Sequence, residues 1–179
     1  MRKREPLSRD AILDAAVRLL DRDGLDGLSM RKLGAELGVE AMSLYNHVPN
    51  KDALLDGIHE RILMSLAPPV NARSWQSFCR QQAHALHRAL VAHPHAIPLF
   101  ATRPASTPVA VAQLDRYLRL LVDAGFTSVE AISIVQLVAK LVVGHTMWTH
   151  ALEVAGADVD RELELGIDAM LHGFARLLD

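Results

Sequence analysis

The stretch from Ser29 to Lys51, SMRKLGAELGVEAMSLYNHVPNK, constrains this chain more than any other. Leu33 and Leu37 lie four apart on one helical face, and Gly38 suits the left-handed residue that ends a helix. Val39 then returns to the interior before a second helix begins near Glu40. Two short helices joined by so tight a turn need a third to pack on, which is the logic of a helix-turn-helix. In the second helix Leu44 and Val48 are again four apart and point inward, leaving Ala41, Met42, Ser43, Tyr45, Asn46 and His47 on the open side. Small and apolar groups near the start of such a helix suit base edges and thymine methyls, and Tyr45 and His47 have the reach for phosphate oxygens.

The flanks fit that frame. Ser8 is placed to cap a first helix with Asp10 in its opening turn, and Ile12, Ala15, Ala16, Leu19 and Leu20 make one apolar stripe that Gly24 ends. Ser29 caps the next helix, whose first turn carries Arg31 and Lys32. Two cations there oppose the helix dipole, so they read either as phosphate contacts or as a solvated pair. Pro49 breaks the recognition helix, Asn50 caps the following one, and Lys51 with the free N–H groups of that helix start makes a phosphate clamp. Leu54, Leu55, Ile58, Ile62, Leu63 and Leu66 then give one face, and Pro68–Pro69 with NARS begin a linker. The basic start, MRKRE, is open to two readings, a DNA-touching arm or a solvated tail.

Every later segment has a helical pattern: Trp75 to Ala92, an irregular Pro94 to Arg103, Pro108 to Ala124, Ser128 to about Glu153, and a last helix capped by Asp160. In that last helix Leu163, Ile167, Met170, Leu171, Phe174, Leu177 and Leu178 keep a helical period. The fold class is therefore all-α, an N-terminal three-helix domain at 1–66 and a C-terminal helical domain at 67–179. The net charge of -2 gives no support to indiscriminate nucleic-acid binding, and residues 1–51 hold nine Lys or Arg against eight Asp or Glu, so placement matters more than total charge. One cysteine, Cys79, cannot form an internal disulfide, which fits a reducing cytoplasm. No apolar segment follows Arg2, Lys3 and Arg4, so export is not expected. Ala131 to Val143, interrupted by Gln136 and Lys140, is short of the ~20 residues of a membrane span and reads as a buried helix.

The run from Leu7 to Ile62, and within it GLDGLSMRKLG, LGVE and SLYNHVPNK followed by ALLD, closely resembles the DNA-binding domain of the tetracycline-repressor (TetR) family of bacterial transcriptional regulators. A weaker likeness continues in WQSF at 75–78, TRP at 102–104 and AGFT at 124–127, and points to the tetracycline-repressor branch. The resemblance implies a homodimer on double-stranded operator DNA, its two recognition helices in successive major grooves of a near-palindrome, released by a small-molecule effector. It implies that the last two helices form an intermolecular four-helix bundle; on the residues alone, the same stripes could fill the monomer's own core. It also gives the helix after Lys51 the relay between effector and DNA.

An effector pocket needs polar residues, and the candidates are His84, His87, Thr102, Arg103, Gln113, Tyr117, Gln136, His145 and Trp148, each of which also reads as an ordinary satisfied polar group. Tetracycline repressors hold the drug and its magnesium ion with histidines; the resemblance puts Leu99 and Ala67 at those positions and Trp148 where the family has an acid. A magnesium–tetracycline complex is therefore not expected; the effector is either a different, more apolar molecule or one the sequence does not define, and no cofactor or metal is expected. The contrasting reading is a small helical metal-binding protein or enzyme using His84, His87, His93 and His95. Against it, no cysteine pair or acidic cluster joins these histidines, and His59–Glu60 opens a zincin pattern whose fifth position is Leu63. There is also no glycine-rich phosphate loop and no Gly-x-Ser-x-Gly elbow.

Overall fold

The computed structural model describes residues 7–66, 72–153 and 156–178. MRKRE, Ala67, Pro68–Pro69 and the start of NARS lie outside them. Among the described residues there is no strand; the elements are α1 (Arg9–Gly27), α2 (Met30–Leu37), α3 (Ala41–Leu44), α4 (Lys51–Ser65), α5 (Trp75–Ala92), a 3₁₀ turn (Pro94–Ala96), α6 (Ile97–Thr102), α7 (Pro108–Asp123), α8 (Ser128–Ala151) and α9 (Ala157–Ala175).

Local chemistry sets most of the starts. Ser8, Ser29, Asn50, Ser74, Thr107 and Thr127 each accept a backbone N–H three residues on, and Thr127 with Glu130 completes a reciprocal capping box. Gly24, at φ 70° and ψ 178°, breaks the helical path of α1, and a further turn runs to Gly27. The last helix departs from expectation. It begins at Ala157 behind Gly156, which has no side chain to cap with, so Asp160 lies inside the first turn and eases the dipole instead.

Two apolar clusters organise the packing. In the first, Ile12, Leu19 and Leu20 of α1, Leu33, Leu44, Val48, and Leu54, Ile58 and Ile62 of α4 interlock. Each such side chain taken from water contributes about 2 kcal/mol. Ala96 and Leu99 enter the same cluster from the second half of the chain. At the edge, Arg61 makes two hydrogen bonds to Asp14, at 2.6 and 2.9 Å, and Arg9 donates to buried Glu60 at 2.8 Å. Burial works to raise the Glu60 carboxyl, but hydrogen bonds from Arg9 and Thr107 and the charges of Arg9 and Arg61 outweigh it and hold the group below its ordinary value.

The second cluster joins α5, α6, α7, α8 and α9 around Trp75, Phe78, Leu121, Phe126, Ile134 and Leu163. Trp75 meets Phe126 edge-on at 5.0 Å. Burial pushes the Cys79 thiol up to about 12, so it packs here as a small apolar group. Helix α8 differs from the buried helix expected. It is long and apolar enough to cross a membrane by length and composition, yet only 28% of its apolar window is buried. One side packs on α5, α7 and α9; the other exposes Val129, Ile132, Leu137, Met147 and Trp148.

Candidate DNA-reading surface and core cavity

The turn between α2 and α3 is built on backbone contact. Gly38 is left-handed at φ 66°, Gly38 N–H donates to Ala35 O and Val39 N–H to Gly34 O at 2.9 Å, the paired bonds of a Schellman ending. Gly34 is the crossing point. A Cβ there would stand 2.9 Å from Val39 O and 3.1 Å from Ala41 N, so α3 lies directly on the backbone of α2.

From that crossing, α3 presents its outer face. Leu44 and Val48 are sealed in the first cluster, whereas Met42 is 72% and Tyr45 42% exposed. Asn46 and His47 are exposed, and Ala41 and Ser43 half-buried. The regular α-helix is shorter than the Glu40–Val48 span expected, because Tyr45 and His47 donate three residues back, to Met42 O and Leu44 O, in a tightened turn. Pro49 disfavours helical backbone at Val48 and ends it.

The cations separate into two kinds. Lys32 donates from Nζ to Asp23 at 3.1 Å, and Arg22 shares the same carboxylate at 2.9 Å. These hydrogen bonds, Lys32's first, hold the Asp23 carboxyl below its ordinary value. Sequence reading missed this pair, since only the bend of α1 at Gly24 brings Asp23 beside Lys32. Arg31 and Lys51 are exposed and show no ion pair among the described residues. Asn50 Oδ1 accepts Ala53 N–H at 2.8 Å, which fixes the α4 start where Lys51 stands.

The polar candidates of the second half do not form one group. His84 is 2.7 Å from Glu164, which also accepts from Arg80. Thr102 spends its hydroxyl on Pro98 O, and Arg103 reaches back to Asp52 and, at 2.6 Å, Asp56 on α4. Gln113 donates to Tyr117, whose ring meets Phe78 edge-on. Gln136 and Trp148 lie on the exposed side of α8. His87 and His145 do come together, ring centroids 5.8 Å apart, with Thr146 2.9 Å from His87 Nδ1.

Two orphaned groups mark the interior. Both amide atoms of Gln82 and Nε2 of His145 are buried with no partner among the described residues. Sequence reading missed Gln82, although its place four residues from both Phe78 and Leu86, inside an apolar stripe, was a signal. A cavity of about 370 Å³ opens between α5, the 3₁₀ turn, α8 and α9, and one of about 530 Å³ lies where the end of α1 meets α6 and α8.

The metal-binding alternative does not assemble. His93 pairs with Asp21 at 3.0 Å and His95 with the carbonyls of Leu20 and Asp21, so the four histidines face three different elements. No group of three His, Cys, Asp or Glu able to hold an ion exists among the described residues. Magnesium carried by a drug fits no better, since Leu99 is a buried hydrocarbon and Trp148 an exposed indole, neither of them a ligand for a hard cation.

Comparison with known proteins agrees with this geometry. The family model described as bacterial regulatory proteins, tetR family, matches residues 12–58, and that of the tetracyclin repressor-like C-terminal domain matches 67–173. The chain is 37% identical over 142 residues to tetracycline repressor protein class E of Escherichia coli, covering 77% of this chain and 66% of that protein. It is 37% identical to an HTH-type transcriptional regulator of Saccharopolyspora erythraea, over 80% of this chain and 63% of that one. Against these two it thus spans slightly less than two thirds of the relative's length. With the class D repressor of Escherichia coli it shares 34% identity over 96% of this chain and 88% of the other. Among solved structures, a single-residue variant of TetR from Acinetobacter baumannii AYE in complex with minocycline superposes with a TM-score of 0.86 at 28% identity, covering 97% and 99% of the two chains. BioQ with its double-stranded DNA operator superposes at 0.76 and 25% identity, over 96% and 99%.

Proposed function

Because the chain belongs to the tetR family of bacterial regulatory proteins, with a tetracycline repressor-like C-terminal half, we propose that it is a transcriptional repressor that binds a palindromic operator as a homodimer and lets go when a small molecule binds. The observation that carries this is the outer face of α3, Ala41, Met42, Ser43, Tyr45, Asn46 and His47, held out by the buried anchors Leu44 and Val48. Met42 and Ser43 read base edges; Tyr45, Arg31 and Lys51 hold phosphates. Lys32 reaches phosphate only by leaving Asp23, which makes it the weaker contact.

We divide the chain at 66/67, a boundary supported by the two family matches, at 12–58 and 67–173. The exposed apolar stripe of α8, with Leu165 exposed on α9, is the face for the second copy, and together these helices make a four-helix bundle. Such a pairing gives the unburied side of α8 its partner and leaves a membrane no part. The protein works in the cytoplasm, where its DNA is, and carries out no catalysis. The effector is a mostly apolar small molecule other than a magnesium-bound drug, because Leu99 and Trp148 offer a hard cation no ligand.

Selection from random duplex DNA with the purified protein tests the proposal. The recovered sites are expected to be two-fold symmetric, with half-sites about one helical turn apart. Lys51→Ala is expected to weaken every site and to flatten the salt dependence by roughly one unit per half-site. Recovery of no preferred sequence, or an unchanged salt slope in the variant, counts against it.

A further inference from the structure

The cavity between α5, the 3₁₀ turn, α8 and α9 has a chemistry that the DNA-reading function does not use. Its base is hydrocarbon from Leu90 and Ile97, and Val91 and Val159 add to its walls. The polar side chains are biased one way. Thr146 Oγ1 donates to Val142 O at 2.7 Å, so the hydrogen in its 2.9 Å contact with His87 Nδ1 belongs to the imidazole. His87 therefore carries its proton on Nδ1, and the ring nitrogen it has left for a ligand is Nε2, a lone pair. Thr149 likewise spends its hydroxyl hydrogen on the carbonyls of His145, at 3.0 Å, and Thr146. Asp160 lines the same cavity, is exposed, and shows no ion pair among the described residues.

Charge points the same way. Burial first and His145 next hold His87 below its ordinary value, with His84 and Arg88 adding to them and Asp160 opposing, so the ring is neutral near pH 7. The start of α9 brings about half a positive charge to the mouth, which the carboxylates of Asp158 and Asp160 in its first turn outweigh. His150, exposed at the rim, can turn either face. An apolar floor beneath acceptors and a net negative rim favours one class of guest.

We propose that this cavity binds a small organic cation, a protonated amine on an apolar body, whose ammonium donates to His87 Nε2 and to the Asp160 carboxylate while its hydrocarbon covers Leu90 and Ile97. The ammonium matches both acceptors at once; an alcohol of the same shape keeps the floor and loses the charge, and a carboxylate meets Asp160 as a like charge. At about 370 Å³ the space is near the small end of ligand pockets and suits a single-ring or short-chain amine.

Calorimetric titration of the full chain with phenethylamine, 2-phenylethanol and phenylacetate tests this without DNA, so its outcome is separate from that of the repressor proposal. Phenethylamine is expected to bind saturably and about tenfold more tightly than the alcohol, with phenylacetate weakest. Asp160→Asn, a change at an exposed residue, is expected to remove most of that preference and leave alcohol binding unchanged. His87→Gln, which keeps an acceptor, is expected to retain amine binding that His87→Phe loses, and the His87 Nε2 nitrogen resonance of the unmodified protein should move with the amine and not with the alcohol. Equal affinity for amine and alcohol, no saturable binding of any of the three, or an Asp160→Asn protein with its preference intact overturns the proposal.

Discussion

Gly34 does for α3 what no other residue could. The backbone of Val39 and Ala41 occupies the space a methyl would need, and backbone gives way less readily than the end of a side chain. Gly34→Ala is expected to cost about 1–3 kcal/mol by overpacking and to weaken DNA binding beyond what the lost stability explains, because α3 must shift on α2. Thermal unfolding beside a mobility-shift titration separates the two effects. His59 is the complementary case, a buried imidazole lying edge-on to Phe100 at 4.2 Å. Burial, helped by Arg103 and opposed by Asp56, sets its folded pKa below its unfolded one. Above the unfolded value both states are neutral and stability is full; as pH falls through it, the unfolded chain takes a proton that the fold refuses. The melting temperature is therefore expected to fall as the pH drops below about 6.5, and His59→Phe to flatten that fall. Anchors such as Leu44 and Val48, marked by their own spacing of four, and caps such as Ser29 and Asn50, whose partners lie three residues on, were legible in the sequence. The Lys32–Asp23 pair and the burial of His59 were not, because each depends on a neighbouring element's approach.

At the scale of elements, the link that matters most runs from α6 to α4. Arg103 holds Asp52 and Asp56 at the very start of the helix that carries Lys51. The Asp52 side chain is 80% exposed, so water screens much of that contact, and Asp56 carries the larger share. Arg103→Ala is expected to speed amide exchange in the first turns of α4 and to lower operator affinity roughly fivefold, which corresponds to about 1 kcal/mol. The pattern of apolar spacing marked every helix but not every end. It overran α3, whose last residues tighten ahead of Pro49. It also placed a cap at Asp160, whereas the chain turns earlier, at Gly156, whose carbonyl already accepts the N–H groups of Val159 and Asp160. A glycine turn of that kind leaves no side-chain signature for a cap search to find.

For the whole molecule, the exposed apolar side of α8 is the dominant fact. Apolar spacing showed that Ser128–Ala151 is apolar nearly all round, and only packing shows which side the chain covers and which it leaves open. Trp148 and Leu165 are 68% and 69% exposed in a single copy. Trp148→Glu combined with Leu165→Glu is expected to give monomers by sedimentation velocity and to cost more than a hundredfold in operator affinity, since one half-site supplies only part of the contact area. A dimer that survives both charges would place the second copy elsewhere.

Ala96 and Leu99 sit among the side chains of α1, α2 and α4, so the first half of the chain borrows part of its interior from the second. A graft that transplants the first 66 residues alone onto another sensor would arrive with a hollow where those two side chains belong. Exchange between relatives therefore has to carry the 96–99 segment along with those residues, or rebuild its equivalent in the recipient.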